Sequence, residues 1–115
     1  MSYQGKEMVI KELIKVVEAA PTIRQNAGNM YPYQNAYEGF PRRISQQDLD
    51  IWMKYVNSVF DISYDYTRLD IFPSTKLQVI QIYSQVELPI EQRIQQINNV
   101  ILSLANTLLQ YPYMG

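Results

Sequence analysis

The chain has 115 residues and a mass of 13.5 kDa, which is the size of one compact domain. Its hydrophobic fraction of 47% is enough to bury a core, and its net charge of −1 argues against bulk electrostatic attraction to nucleic acids or anionic membranes. The sequence contains no Cys and no His, which excludes disulfides, thiolate chemistry, imidazole bases and the usual zinc ligands.

The first predicted helix covers residues 6–20. Apolar side chains recur there at steps of three and four residues, from Val9 to Ala20, while Lys and Glu fill the other face. These charges interrupt the apolar residues, so neither a signal peptide nor a membrane anchor is expected at this end. Pro21 ends the segment.

The second predicted helix covers residues 45–69. Ser45 is a favourable N-cap, and Asp48 three residues later completes an approximate capping box. Apolar and aromatic residues then keep the helical period from Leu49 to Leu69. The alternation of apolar and polar residues over 61–67 also fits a strand, but the helical phase continues without Gly or Pro and favours one long helix.

Two further helices are predicted over residues 75–87 and 89–111. Thr75 and Gln78 fit a capping box after Pro73, and Pro89 suits the first position of the last helix. In that helix the spacing of apolar residues alternates between four and three over almost three heptads, which predicts a heptad seam of Ile90, Ile94, Ile97, Ile101, Leu104 and Leu108.

These elements predict an all-α fold, a small four-helix array or bundle that forms a single domain over residues 1–115. Residues 21–44 form a long Tyr-rich connector between the first two helices, which we expect to be ordered because it is rich in aromatic residues. The predicted core consists of Ile10, Leu13, Val17, Trp52, Val56, Val59, Ile80, Ile94, Ile97, Ile101 and Leu104.

The connector is the first candidate binding segment. It places Tyr31, Tyr33, Tyr37 and Phe40 near arginines, and aromatic residues beside Arg are typical of interface hot spots. The same combination can grip phosphate and stack bases, although three arginines are a thin footprint for nucleic acid. Alternatively, the tyrosines pack back over the bundle.

The second candidate is the C-terminal segment, because no charged residue occurs from Ile94 to Gly115. The outer face of a surface helix normally carries Lys and Glu, and charges are depleted at the cores of interfaces. The segment therefore fits a protein interface, but it also fits a central helix of a monomer or a composition rich in Gln and Asn.

No motif indicates an enzyme, a cofactor or a metal site. Asp61 and Asp65 are four residues apart and could together hold a cation or exchange a proton, but the Glu-x-x-His pairs of di-iron bundles are absent from the sequence. We interpret the two aspartates as part of a solvated helix face.

The leading hypothesis is a non-catalytic helical protein that binds another protein as a regulator or inhibitor. Its small size, its Tyr, Asn and Gln content and the absence of an enzyme motif are typical of accessory proteins encoded by viruses and plasmids. The alternatives are a self-assembling structural subunit, for example of a viral particle, and a nucleic-acid-binding accessory protein. The location expected is the cytoplasm, or the virion for a structural subunit. The predicted partner-binding residues are Tyr31, Tyr33, Tyr37, Phe40, Arg42, Arg43, Asn99, Asn106, Gln110, Tyr111 and Tyr113.

Overall fold

The computed structural model of the chain describes residues 3–22, 24–25, 41–42 and 44–110. Within these residues it contains four helices, and the predicted all-α four-helix arrangement is confirmed. The helices are α1 (Tyr3–Glu18), α2 (Gln46–Thr67), α3 (Ile71–Tyr83) and α4 (Ile90–Gln110).

Two short strands, which the sequence did not predict, lie at the two ends of the connector. β1 (Arg24–Gln25) and β2 (Pro41–Arg42) pair antiparallel, with Arg24 opposite Arg42. The pairing brings the backbone after α1 next to the backbone that leads into α2. Residues 26–40, which make up most of the predicted ordered connector, lie outside the described residues.

The four helices pack in a ring, in which α1 and α3 each contact both α2 and α4. Hydrogen bonds between distant residues fix the helix directions. The ammonium group of Lys6 donates to the carbonyl of Leu109 at 3.2 Å, so the start of α1 lies at the end of α4. Tyr83 donates to Asp50 at the opposite ends of α3 and α2. Both pairs are therefore antiparallel, and for α2 and α3 this is the arrangement that a short connection favours.

The predicted capping box at the start of α2 is present. The backbone N–H of Asp48 donates to the Ser45 hydroxyl at 3.1 Å, and the Ser45 N–H donates to the Asp48 carboxylate at 3.2 Å. The helix ends at Thr67, two residues before the predicted end. The reason is Arg68, whose φ of 60° and ψ of 21° place it in the left-handed region that terminates helices.

The predicted start of α3 and its capping box are wrong. The helix begins at Ile71, and Thr75 is buried inside it. Pro73 lies in the first turn, where its missing N–H has no intrahelical partner to lose, so it does not break the helix as we expected. α3 ends at Tyr83 rather than at 87. The other bounds differ by one to three residues, with α1 at 3–18 instead of 6–20 and α4 starting at 90 instead of 89.

The core occupies the centre of the ring and matches the predicted residues at nine positions. Val17 and Ile80 differ, because both are only half-buried; Val17 packs against the edge of the core. Their neighbours Val16 and Val79 are buried in their place. Side chains of adjacent residues point about 100° apart around a helix. The buried arc of α1 is therefore centred nearer to Val16, and that of α3 nearer to Val79, than the prediction placed them.

Three helix C-termini are capped by side chains from elsewhere in the chain. The indole N–H of Trp52 donates to the Val16 carbonyl at 2.9 Å, in the last turn of α1. Arg93 donates to the Tyr83 carbonyl at the end of α3 at 2.9 Å, and Lys6 caps α4. The last carbonyls of a helix lack the usual intrahelical donor, and Arg93 and Lys6 supply donors to those of Tyr83 and Leu109. The Val16 carbonyl also accepts from the Ala19 N–H at 3.2 Å, so there Trp52 adds a second hydrogen bond that joins α2 to α1.

Candidate functional site

Most of the predicted partner-binding residues lie outside the described residues. This applies to Tyr31, Tyr33, Tyr37, Phe40, Arg43, Tyr111 and Tyr113, and Arg42 is described only as part of the backbone of β2. Asn99, Asn106 and Gln110 are described, and all three are exposed on α4. The structure therefore brings these three residues to one helix surface and leaves the binding role of the connector a prediction.

An apolar groove lies between α1 and α2, and we call it the α1–α2 groove. It has a volume of about 260 Å³. Three of its apolar side chains are largely exposed, with fractions of 48% for Met8, 63% for Ile62 and 47% for Tyr66. The lining consists of Met8, Val9, Glu12, Val59, Ile62, Ser63 and Tyr66.

The groove continues along α2 as an exposed apolar stripe. Ile51 and Tyr55 are exposed, and steps of four, four, three and four residues connect Ile51, Tyr55, Val59, Ile62 and Tyr66. Residues three and four apart share one face of a helix, so these side chains form a single line beside α1. Scattered apolar residues are ordinary on a protein surface, whereas here four exposed apolar side chains lie along one line beside a groove.

The excess apolar character of α2 explains how the groove arises. The core stripe of this helix already contains Leu49, Trp52, Val56 and Phe60, which are all buried. A second stripe beside it exceeds what α1 and α3 can cover. The sequence pattern placed Tyr55 and Tyr66 in the same helical period as the core residues. The exposed stripe could have been expected from the width of the apolar arc of α2, which is larger than one helix interface requires.

Electrostatics near the groove are weak. Glu12 is the carboxylate in its lining, and it pairs with Lys15 of the same helix at 3.3 Å in an exposed position. Exposed ion pairs of this kind contribute little to stability. The groove therefore offers apolar contact with one charged group at its edge, rather than a charged pocket.

The outer surface of α4 from Ile94 to Gln110 differs in chemistry, and we call it the α4 face; Glu91, in the first turn of the helix, lies before it. It contains amides, a hydroxyl and two leucines, but no charged side chain. The exposed residues are Gln95, Asn99, Leu102, Ser103, Asn106, Leu109 and Gln110.

A second groove, of about 400 Å³, lies between the α4 face and α3. Every residue that lines it is uncharged, and hydroxyl and amide groups alternate with apolar ones. The lining consists of Ile71, Ser74, Thr75, Gln78, Asn99, Val100, Ser103, Leu104 and Thr107. It extends the uncharged surface of α4 sideways onto α3.

Asp61 and Asp65 lie on the exposed side of α2, away from the groove lining. Asp61 accepts a hydrogen bond from the Lys76 ammonium group of α3 at 2.7 Å. Among the described residues no three acidic side chains are grouped closely enough to hold a metal ion. The arrangement around Asp61 is thus an interhelix ion pair.

A polar cluster joins α2, α3 and the start of α4. Tyr83 donates to the Asp50 carboxylate at 2.5 Å, and the Gln46 amide donates to the same oxygen at 2.8 Å. The hydrogen bond from Tyr83 lowers the pKa of Asp50, and the same bond raises the pKa of Tyr83. Arg93 is buried and donates to the carbonyls of Tyr83 and Leu88, which fixes the loop between α3 and α4. The hydrogen bonds of this cluster therefore connect α2, α3 and the start of α4, which is a structural role.

None of the described helices combines the length and the hydrophobicity that crossing a bilayer requires. In comparisons with known proteins, no family model, no curated protein and no solved structure matches the chain. The two exposed surfaces, the α1–α2 groove and the α4 face, are therefore the observations from which a function can be argued.

Proposed function

We propose that this is a non-catalytic protein that binds another protein, as a small regulator or inhibitor, through the α1–α2 groove. The observation that carries the proposal is the apolar line on α2 beside a groove that α1 completes, a line that is exposed at Ile51, Tyr55, Ile62 and Tyr66 and reaches the core at Val59. The partner segment that fits best is an amphipathic helix, whose apolar side chains at i, i+3, i+4 and i+7 would lie along this line.

The energetics support this use of the groove. Complete burial of a side chain such as Ile or Met contributes about 1.5–3 kcal/mol, and Met8, Ile62 and Tyr66 are each partly exposed. Tyr is also enriched among the residues that dominate binding energy. Association itself costs about 4–15 kcal/mol, so these anchors have to be joined by further apolar contacts along the line, at Ile51 and Tyr55, for the partner to bind.

The chemistry of the surface supports binding rather than catalysis. Sites of general acid–base catalysis place a titratable group of shifted pKa within reach of the substrate. In the α1–α2 groove the carboxylate is Glu12, and its neighbours are apolar except for Ser63 and the Tyr66 hydroxyl. Asp50 and Tyr83 have shifted pKa values, but they are hydrogen-bonded to each other and connect α2 to α3.

The proposal can be tested by selecting binders from a displayed library of amphipathic helical peptides. Ile62→Glu should weaken the selected peptides by at least about tenfold, which corresponds to ~1.4 kcal/mol. Leu77→Glu is the matched control, because Leu77 lies on α3 away from the groove and is 62% exposed against 63% for Ile62. Equal binding to both variants, or selection of no peptide, would contradict the proposal.

Self-assembly remains the second candidate function, and the absence of charge on the α4 face favours it. A structural subunit would form large polymers on light scattering, whereas a regulator would remain a monomer or dimer. We place the regulator in the cytoplasm of its host, and the subunit in a viral particle. Nucleic-acid binding depends on connector residues outside the described part, and salt-dependent DNA binding would support it.

A further inference from the structure

The exposed side of α4 carries a second heptad seam, which we call the outer seam. It runs through Gln95, Asn99, Leu102, Asn106 and Leu109 at steps of four, three, four and three residues, and all five are exposed. The inner seam of the same helix, from Ile94 to Leu108, is buried in the bundle. A seam with this spacing is the pattern by which two helices pack side by side.

The chemistry of the outer seam limits what can cover it. A charged side chain placed opposite would lose hydration and find no counter-charge, since the α4 face contains none. Amides can donate and accept, so Asn99 and Asn106 can each pair with an identical amide. Leu102 and Leu109 require apolar contacts. An uncharged helix with amides and leucines in matching positions satisfies both requirements, and the outer seam itself has that composition.

We propose that the outer seam packs against the outer seam of a second copy of this chain, parallel and in register, to form a twofold-symmetric dimer. In this register each layer faces its own kind, Asn99 against Asn99 of the partner subunit and Leu102 against the partner subunit's Leu102. An antiparallel pairing centred on Leu102 would instead set Gln95 against the partner's Leu109. A buried Asn pair in such a seam specifies two strands and one register.

The length and width of the outer seam determine how strongly two copies are expected to associate. Residues 94–110 span about 25 Å of helix, a narrow strip compared with the ~800 Å² that each partner buries in a typical stable complex. A reversible dimer is therefore expected, with a Kd in the micromolar range rather than below it. This inference uses a different surface from the α1–α2 groove, so either can fail alone.

The test is the molar mass by sedimentation as a function of concentration. The mass should rise from 13.5 kDa towards twice that value for the native chain. Leu102→Glu, at a position 46% exposed, should weaken dimerisation at least about tenfold, because the twofold axis sets two carboxylates face to face. Leu77→Glu should dimerise like the native chain. A native chain that stays monomeric, or a Leu102→Glu variant that dimerises equally, overturns the proposal.

The register has its own test, because the sequence contains no Cys and a single introduced thiol reports one position. Under oxidation, Leu109→Cys should form a disulfide-linked dimer, since a parallel register brings the two positions together. If Leu102→Cys crosslinks while Leu109→Cys does not, the helices are antiparallel and the proposed register is wrong. Ile62→Glu should dimerise normally, and Leu102→Glu should still bind selected peptides, which separates this proposal from the groove.

Discussion

α2 and α4 have nearly the same length, 22 and 21 residues, but use their surfaces differently. α2 is apolar over a wide arc, so that its core stripe is buried and a second stripe stays exposed beside α1. α4 is apolar over a narrow arc that the bundle buries almost completely, and from Ile94 onward its outer side consists of uncharged polar groups and two leucines.

The difference teaches how each helix can meet a partner. Covering the exposed part of a wide apolar arc with another apolar surface lowers the free energy of the complex, and it does not require a particular register. Association of two seams of amides and leucines lowers the free energy less. However, the side chains of every layer must match, so the register is specific. The first kind of surface suits an unrelated partner, and the second suits a copy of itself.

The largest effect expected comes from placing the same charge on the two helices. Ile97→Asp, at a fully buried position of α4, should lower the free energy of unfolding by about 4 kcal/mol, because the carboxylate has no partner in the core. Ile62→Asp, on the exposed stripe of α2, should change it by about 0.5 kcal/mol. Urea denaturation followed by circular dichroism measures both. Equal losses would mean that the α2 stripe is part of the core.

A smaller effect is expected from the hydrogen bond by which α2 holds α1. Trp52→Phe removes the indole donor to the Val16 carbonyl and leaves a small cavity, so the free energy of unfolding should fall by about 2 kcal/mol. Tyr55→Phe, on the exposed stripe of the same helix, is the control and should have almost no effect. A loss below about 0.5 kcal/mol for Trp52→Phe would mean that water replaces the missing donor.

The sequence was most informative where a pattern has one solution. The strict spacing of the inner seam of α4 allows one buried face, and Ile94, Ile97 and Ile101 are buried as predicted. The capping box of Ser45 and Asp48 is local, so its geometry depends on no distant contact. Such features could be predicted from neighbouring residues alone.

Prediction failed where several arrangements fit the same pattern. Pro73 is compatible both with a break and with a first helical turn, and the structure has the helical turn. Tyr55 and Tyr66 fit the helical period, but their exposure depends on where α1 packs, which is a tertiary property. The α1–α2 groove could not be predicted for the same reason, since its two walls are about 50 residues apart in sequence.

A gain in stability is expected at two asparagines whose side-chain oxygens are buried, one in α2 and one in α4. Among the described residues, the side-chain oxygens of Asn57 in α2 and Asn98 in α4 are buried without a hydrogen-bond partner. Replacing either residue by Leu, which has the same number and branching of side-chain heavy atoms, should raise the free energy of unfolding by about 1 kcal/mol where the neighbouring side chains accommodate its larger methyl groups. Thermal denaturation measures the gain, with the exposed Gln81→Leu as control. No gain at either site would imply a bound water at the amide oxygen.

The smallest effect expected concerns pH, in which the two helices should also differ. The hydrogen bond from Tyr83 lowers the pKa of Asp50 below 3.8 and raises that of Tyr83 above 10.0, so both groups favour the fold at neutral pH. The contribution of Asp50 is present above its ordinary pKa and is lost as the pH falls through the lowered value. The contribution of Tyr83 is present below its ordinary pKa and is lost as the pH rises through the raised value.

Tyr83→Phe should therefore lower Tm slightly at pH 7, and the difference from the native chain should vanish in strong acid. Thr107→Val removes a hydroxyl that donates to the Ser103 carbonyl of α4 at 3.0 Å, and its effect on Tm should be the same at every pH because neither group titrates. A constant difference for Tyr83→Phe across the acid range would mean that the phenol stabilises α2 and α3 by packing instead.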